Sequence, residues 1–399
     1  MTKFRILAVM SALVLVFPLF AQKEQFNPVY TGVTSLSIAP DARAGALGDV
    51  GAATEPDVNS QYWNPAKYPF NIARAGVSMS YTPWLRQLVS DIDLVNLVGF
   101  YRIGDYSAVS GSLTYFSLGQ VFVENEMTIK PYEMAVDVSY SRMLSETFSA
   151  AISLRYILSD LQYNYEEDMS AGNAFAADIA LYYNKYLMMG GRECLLGLGL
   201  NASNIGTKIS YDGGATNQFI PTNLRLGASL LIPIDEYNTI AISADVNKLM
   251  VPTRPTYSQF MSEEYADVQS SDAQYNSYYS EYQTWLESNG YNDISPISGI
   301  FKSFADAPGG FSEELKEIYA GVGIEYCYNQ QFSVRGGYHY ENEYKGNRKY
   351  FTLGAGFRMS VFSLDAAYLI STAQSNPLDQ TLRFSLSFDM DGLKDLFRR

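Results

Sequence analysis

Short segments in which apolar and polar side chains strictly alternate recur along most of the chain, and this pattern limits the fold more than any other feature. Tyr132, Met134, Val136, Val138 and Tyr140 alternate with Glu133, Ala135, Asp137, Ser139 and Ser141. The pattern returns in Phe148–Ile157, in Phe175–Asn184, where Tyr182 and Asp178 fall on the polar side, and in Leu382–Asp389. A period of two is that of a strand with unlike faces. Fourteen such segments are predicted, over 73–83, 93–103, 107–117, 132–142, 147–158, 174–186, 193–205, 222–233, 238–249, 318–328, 331–341, 349–360, 362–372 and 380–390. Each suits a tilted transmembrane strand, which needs about 9–11 residues.

The links between segments alternate long and short. The longest, 250–317, stands among tight turns such as Pro233-Ile234-Asp235-Glu236 and Asn329-Gln330. Outer-membrane barrels have short periplasmic turns and longer extracellular loops. The expectation is therefore an all-β fold, a transmembrane antiparallel β-barrel of about 14 strands. An even strand number places both chain ends at the short-turn, periplasmic end. Tyr81, Trp84, Tyr101, Tyr115, Tyr132, Tyr140, Tyr156, Tyr183 and Tyr350 fall near strand ends, as girdle aromatics do. The polar faces carry Glu133, Asp137, Arg155, Asp178, Arg225, Asp245, Glu325, Arg335, Arg358, Asp365 and Arg383, which alternation points into the lumen. On the lipid side an Arg or Lys would cost about 2–4 kcal/mol at the midplane.

Lys3 and Arg5, the apolar run 6–17 and the small residue Ala21 read as a secretory signal peptide over 1–21. Beyond it no stretch approaches the roughly 20 apolar residues of a membrane helix. The division is then a plug segment 22–72, a barrel 73–390 and a periplasmic tail 391–399. The formal charge of −14 becomes −16 when Lys3 and Arg5 leave with the signal. So acidic a chain is not built for nucleic acid. One His and two Cys argue against a multi-ligand metal, haem or iron–sulfur site, and no cofactor is expected.

The plug segment is rich in small residues, which pack closely in a confined space. Its motif residues are Pro40, Asp41, Arg43, Gly45 and Gly48, followed by Asn64 and Pro65 of Asn64-Pro65-Ala66. A small-residue hatch ending in Asn-Pro-Ala and followed by fourteen strands resembles the FadL-type outer-membrane barrels. Within that group, the stretch from Ser37 to Gly51, with its Pro-Asp-Ala-Arg-Ala block, resembles the PorV family of the type IX secretion system. The resemblance implies a non-enzymatic outer-membrane component in a Bacteroidota-type cell. Such a component receives secreted cargo by its C-terminal signal domain after a large translocon barrel. It delivers that cargo to a surface sortase complex, which cleaves the signal and attaches the cargo to anionic lipopolysaccharide. Implied partners are thus the translocon barrel, the cargo, the sortase complex and outer-membrane lipid or lipopolysaccharide. The alternatives are a FadL-type channel for small hydrophobic molecules and a lipopolysaccharide O-deacylase.

The connection 250–317 points independently to an interaction role. It holds 11 acidic residues against Arg254, Lys302 and Lys316, so its balance of −8 is half the mature charge. It also carries Tyr257, Tyr265, Tyr275, Tyr278, Tyr279, Tyr282, Tyr291 and Trp285. Such residues give large contact area at small entropy cost and recur at interfaces. Phe311-Ser312-Glu313-Glu314 predicts a helix start with Ser312 as N-cap. The seven of these aromatics other than Tyr291, together with the plug motif, are the candidate binding residues.

A deacylase needs a nucleophile and a base. The single histidine, His339, shares its strand face with Ser333, Arg335 and Gly337, on the lumen side. No Gly-x-Ser-x-Gly elbow or phosphate-binding glycine loop is present. Glu133 and Asp137 share one face, but lumen charges supply such pairs without catalysis. Cys194 and Cys327 lie on opposite faces of non-neighbouring strands, which opposes a disulfide. Gly197 and Gly199 would permit a bend opening the barrel sideways, as a channel requires.

Overall fold

The computed structural model describes residues 26–390 apart from 87–88, 90, 123–127, 163–168, 215–216, 269–274, 289, 292 and 373–377. The predicted signal peptide, 1–21, and the predicted tail, 391–399, lie outside the described residues. Fourteen strands close into one barrel. They are β1 (Ala75–Pro83), β2 (Ile92–Ile103), β3 (Ser107–Leu118), β4 (Tyr132–Ser145), β5 (Phe148–Asp160), β6 (Gly172–Met189) and β7 (Arg192–Gly206), then β8 (Asn223–Pro233), β9 (Asn238–Leu249), β10 (Ile318–Tyr328), β11 (Phe332–Tyr340), β12 (Tyr350–Arg358), β13 (Phe362–Ser371) and β14 (Leu382–Asp389). Each pairs antiparallel with the next, and β14 returns to β1 with Val77 opposite Phe388 and Tyr81 opposite Phe384. Closure leaves no unpaired strand edge in the apolar slab, which a membrane-spanning sheet requires.

The predicted alternation is the wall's inside-out pattern. On β4, Glu133, Ala135, Asp137, Ser139 and Ser141 are buried, while Val136, Val138 and Tyr140 are exposed. Ile152 and Leu154 on β5 continue the outer apolar face. The interior is polar and is filled by the plug, so most buried side chains of the wall meet other polar groups. The β6–β7 hairpin runs longer than its pattern predicts because Gly190 and Gly191 both take positive φ (59° and 76°). That is the two-residue turn whose twist suits paired strands.

Two expectations about the wall change. Tyr350 is not a girdle residue: it is 3% exposed and its hydroxyl donates to Asp49 Oδ2 inside the lumen. Arg358, at the end of β12, is exposed rather than enclosed, since the wall stops there. The first and last described stretches stand at opposite rims of the barrel. Asp389 N–H donates to Val361 O of a short turn, at the expected end. Asn27 N–H instead donates to Tyr344 O and Gly32 N–H to Phe219 O, in the long connections 341–349 and 207–222. The plug therefore starts at the long-loop rim and threads down the lumen to β1, a path that strand parity alone does not foresee.

Candidate functional site: the plug and the long loop

The plug is built from short helical turns whose small residues let them pack closely within the lumen. Helix α1 (Ala42–Gly45) begins at Asp41, whose Oδ2 accepts from Ala44 N–H at 2.9 Å. The other Asp41 oxygen accepts from Trp63 Nε1 at 2.5 Å, on helix α2 (Ser60–Trp63). One carboxylate thus caps one turn and fixes the next. Pro65 opens a 3-10 turn, Pro65–Phe70, and its missing N–H is one that the first helical position would leave unpaired. Asn64 joins three segments: Nδ2 donates to Ala52 O and Leu181 O, and Oδ1 accepts from Ala66 N–H. Pro40 lies immediately before the Asp41 cap, buried with it.

Arg43 ties this scaffold to the wall. Its Nε and second terminal nitrogen meet both oxygens of Glu325 on β10 (3.2 and 3.0 Å), and its remaining nitrogen meets Asp57 Oδ2 at 2.9 Å. Glu325 also pairs with Arg335 Nε, and Arg335 reaches Asp365 at 2.6 Å. A bidentate guanidinium–carboxylate pair is directional as well as strong. Elsewhere Asp245 on β9 accepts from Gly51 and Ala52 N–H (2.8 and 2.9 Å), and Arg383 on β14 meets Asp49 at 2.7 Å. Gln61 donates to Asp137 and Ser139 and accepts from Ser110. Arg225 lies over Trp63 at 4.5 Å. Fastenings therefore come from strands around the whole wall.

Glycine makes the close approach possible. A side chain at Gly45 would strike Arg383, and one at Gly337 on β11 would strike the Leu47–Gly48 peptide. Gly48 combines positive φ (76°) with Tyr338 backbone only 2.7 Å from where a Cβ would stand. Gly197 and Gly199 answer the same need: a Cβ at either would collide with the carbonyl of Ala53 or Ala52. They receive the plug, and do not mark a lateral opening.

The long connection folds on itself. Helix α3 (Tyr257–Glu264) starts with a capping box, Thr256 and Gln259, and packs against α4 (Tyr279–Ser288). Phe260, Met261, Tyr282 and Leu286 are buried between them, with Tyr257, Tyr265, Tyr278 and Trp285 packed on that core. Tyr265 stacks on Tyr278 at 4.1 Å, and Tyr282 donates to Pro255 O. Tyr279 is exposed, while Tyr275 begins the 3-10 turn Tyr275–Tyr278. Most of the aromatic set thus holds the loop together and offers only edges outward.

Helices α5 (Pro296–Lys302) and α6 (Phe311–Lys316) complete the loop. Ser312 is not the N-cap of α6; that position is Gly310, with φ 66°, one residue before the helix starts. Behind α6, Lys248 meets Glu314 and Glu317 (2.9 and 2.6 Å), and Lys345 meets Glu317 and Glu313 (3.1 and 2.6 Å). Glu314 also accepts from the N–H groups of Asp306 and Ala307. Burial, with Glu314 and Glu317 nearby, pushes the Asp306 carboxyl up to about 6. Sequence reasoning missed this lysine–glutamate clamp, because Lys248 and Lys345 stand far apart in the chain.

His339 is enclosed at the plug–wall contact. Its Nδ1 lies 3.3 Å from Gly48 O and its ring stacks on Tyr350 at 4.7 Å, so the lumen placement read from alternation holds. Glu133 accepts from Ser35 N–H, and Asp137 pairs with Arg155 and accepts from Gln61 and Ser112. These carboxylates fix plug and wall. Cys194 and Cys327 are both free thiols.

The family model for the type IX secretion system protein PorV matches residues 20–256, a span that takes in the plug and β1–β9. No curated protein sequence matches the chain. Among solved structures it is similar to the toluene transporter TodX of Pseudomonas putida, at 10% identity and TM-score 0.47 over 92% of this chain and 99% of that one. It is similar to the toluene transporter TbuX of Ralstonia pickettii at 12% identity and TM-score 0.43, over 92% and 98%. A Pseudomonas aeruginosa FadL homologue aligns at 12% identity and TM-score 0.42, over 91% and 99%.

Proposed function

Because the chain belongs to the PorV family of the type IX secretion system, we propose that this outer-membrane barrel is a non-enzymatic adaptor that works through its surface. It binds cargo by the C-terminal signal domain once the translocon barrel has released it, and hands it to the surface sortase complex. In this reading the short turns face the periplasm, and the long loops and the start of the plug face the cell exterior. The observation that carries it is the plug: Arg43, Asp49, Gln61 and the Gly51–Ala52 amides fasten it to β14, β10, β9, β4 and β3, across the lumen's width. A channel for small hydrophobic molecules would have to break these contacts at each passage. A lumen so occupied leaves the loops as working parts, with 250–317 the largest.

The aromatic loop is then a compact docking body, its rim formed by Tyr279 and the edges of Tyr257, Tyr265, Tyr278 and Trp285. Deleting 258–295 tests this. The barrel should still fold and reach the outer membrane, while surface display of cargo falls. Normal display by the deletion would refute the loop's role.

A further inference from the structure

We propose that the far end of the long loop, helices α5 and α6, lies in the outer leaflet of the outer membrane and tethers the loop to the lipid surface beside β9 and β10. Ile297, Phe301 and Phe304 recur at helical spacing along α5 and just past it, and Phe311 and Leu315 do so on α6. All five are exposed, Phe301 at 74% and Phe311 at 77%. Such a row of large apolar groups is not an ordinary water-facing surface.

The opposite sides of these helices show where the apolar sides point. On α5, Gly299 packs against Phe219 and Pro252. On α6, Glu313, Glu314 and Glu317 face Lys248 and Lys345. Lys248 is the decisive residue. It shares the outward side of β9 with Ile242 and Val246, which are exposed in the apolar band. Yet Lys248 is 9% exposed, covered by Glu314, Glu317 and the Phe304 ring at 5.9 Å. A segment that covers an outward-pointing lysine lies on the outer flank of the wall. Its own far side therefore continues the lipid-facing band, which α6 joins directly through Ile318 and Val322 of β10.

The charges agree. Lys302, one of the three basic residues in this acidic loop, stands in the last turn of α5, while Lys316 in the last turn of α6 lies over the Tyr344 ring at 5.7 Å. An interfacial helix sinks its apolar side about 5–10 Å into the headgroup–acyl boundary and keeps its cations near the anionic headgroups. The occupant of this apolar row is thus lipid. The inference rests on the outer-membrane barrel and not on the adaptor reading, because it predicts membrane contact with no other protein present.

The test uses the full chain in phosphatidylcholine vesicles whose acyl chains carry bromine, which quenches tryptophan on contact. Trp84→Phe and Trp285→Phe remove the tryptophans outside the plug, and Phe301→Trp or Leu315→Trp adds a reporter. Trp63, enclosed in the lumen, serves as an internal reference. Heat-modified gel migration confirms folding of each variant. The expected result is a loss of roughly half or more of the reporter's emission in brominated vesicles, as its depth at the acyl boundary requires. Reporters that bromine leaves bright and aqueous acrylamide quenches would overturn the proposal and assign the row to a protein partner.

Discussion

Replacing Arg43 with alanine should release the plug while leaving the barrel intact. Arg43 contributes a bidentate pair to Glu325 and a third contact to Asp57, and its side chain is 10% exposed. Removing one partner of a buried ion pair typically costs about 3–5 kcal/mol, because the remaining charge is left in a poorly solvated place. Glu325 keeps Arg335, so the loss falls mainly on Asp57 and on the join between plug and wall. The lower end of the range is therefore expected, about 3 kcal/mol, or roughly a hundredfold in the opening equilibrium of the plug. Hydrogen exchange reads this directly at the Gly51 and Ala52 amides, which Asp245 accepts. Their protection should fall by about that factor while the paired amides of β4 and β5 keep theirs, since local opening is free to differ from global stability. Arg43→Lys should recover part of the loss, because a lysine cannot span both Glu325 oxygens. Unchanged plug exchange, or an equal fall in plug and wall, would show that Arg43 does not hold the plug to the wall.

Other consequences are equally specific. His339→Ala removes a stacked ring and one contact to Gly48, and cargo display should be nearly unchanged; loss of a lipid-processing activity instead would revive the deacylase alternative. Gly337→Val places a side chain against the Leu47–Gly48 peptide, so plug exchange should rise much as for Arg43→Ala, whereas wild-type protection would show that the plug can yield there. Asp306 ionises at about 6 when folded, against 3.8 for the ordinary carboxyl, so the folded loop holds this proton more tightly than the unfolded one. That contribution is fully present below pH 3.8 and is lost as pH rises through about 6. The loop's thermal midpoint, followed by Trp285 fluorescence, should therefore fall across this interval, and Asp306→Asn should remove most of that slope.

Much of the barrel is legible in the sequence because its wall has two solvents. Lipid outside and a polar plug inside impose opposite demands on neighbouring residues, so Val136 and Asp137 declare their faces without further context. Tyr350 misleads for the same reason. Near a strand end an aromatic ring suits either the girdle or the plug, and only Asp49, three hundred residues away, decides. The plug motif is legible as small and tightly packed, but Arg43 finding Glu325 depends on the closed sheet. The loop's tyrosines share a composition with interfaces, and composition cannot separate rings that pack on one another from rings that face a partner. The apolar row of α5 and α6 carries a readable signal, the spacing of Ile297, Phe301 and Phe304, which the abundance of tyrosine beside it obscures.

As proposed, this barrel acts by what it holds at its surface and not by what passes through it. Isolating the protein from outer membranes in mild detergent, and identifying everything that comes with it by mass spectrometry, decides between these. Expected are a very large translocon barrel and secreted proteins sharing a C-terminal domain, recovered with the wild type and depleted with the 258–295 deletion. Recovery of small apolar molecules held in the lumen, with neither of those proteins, would contradict it.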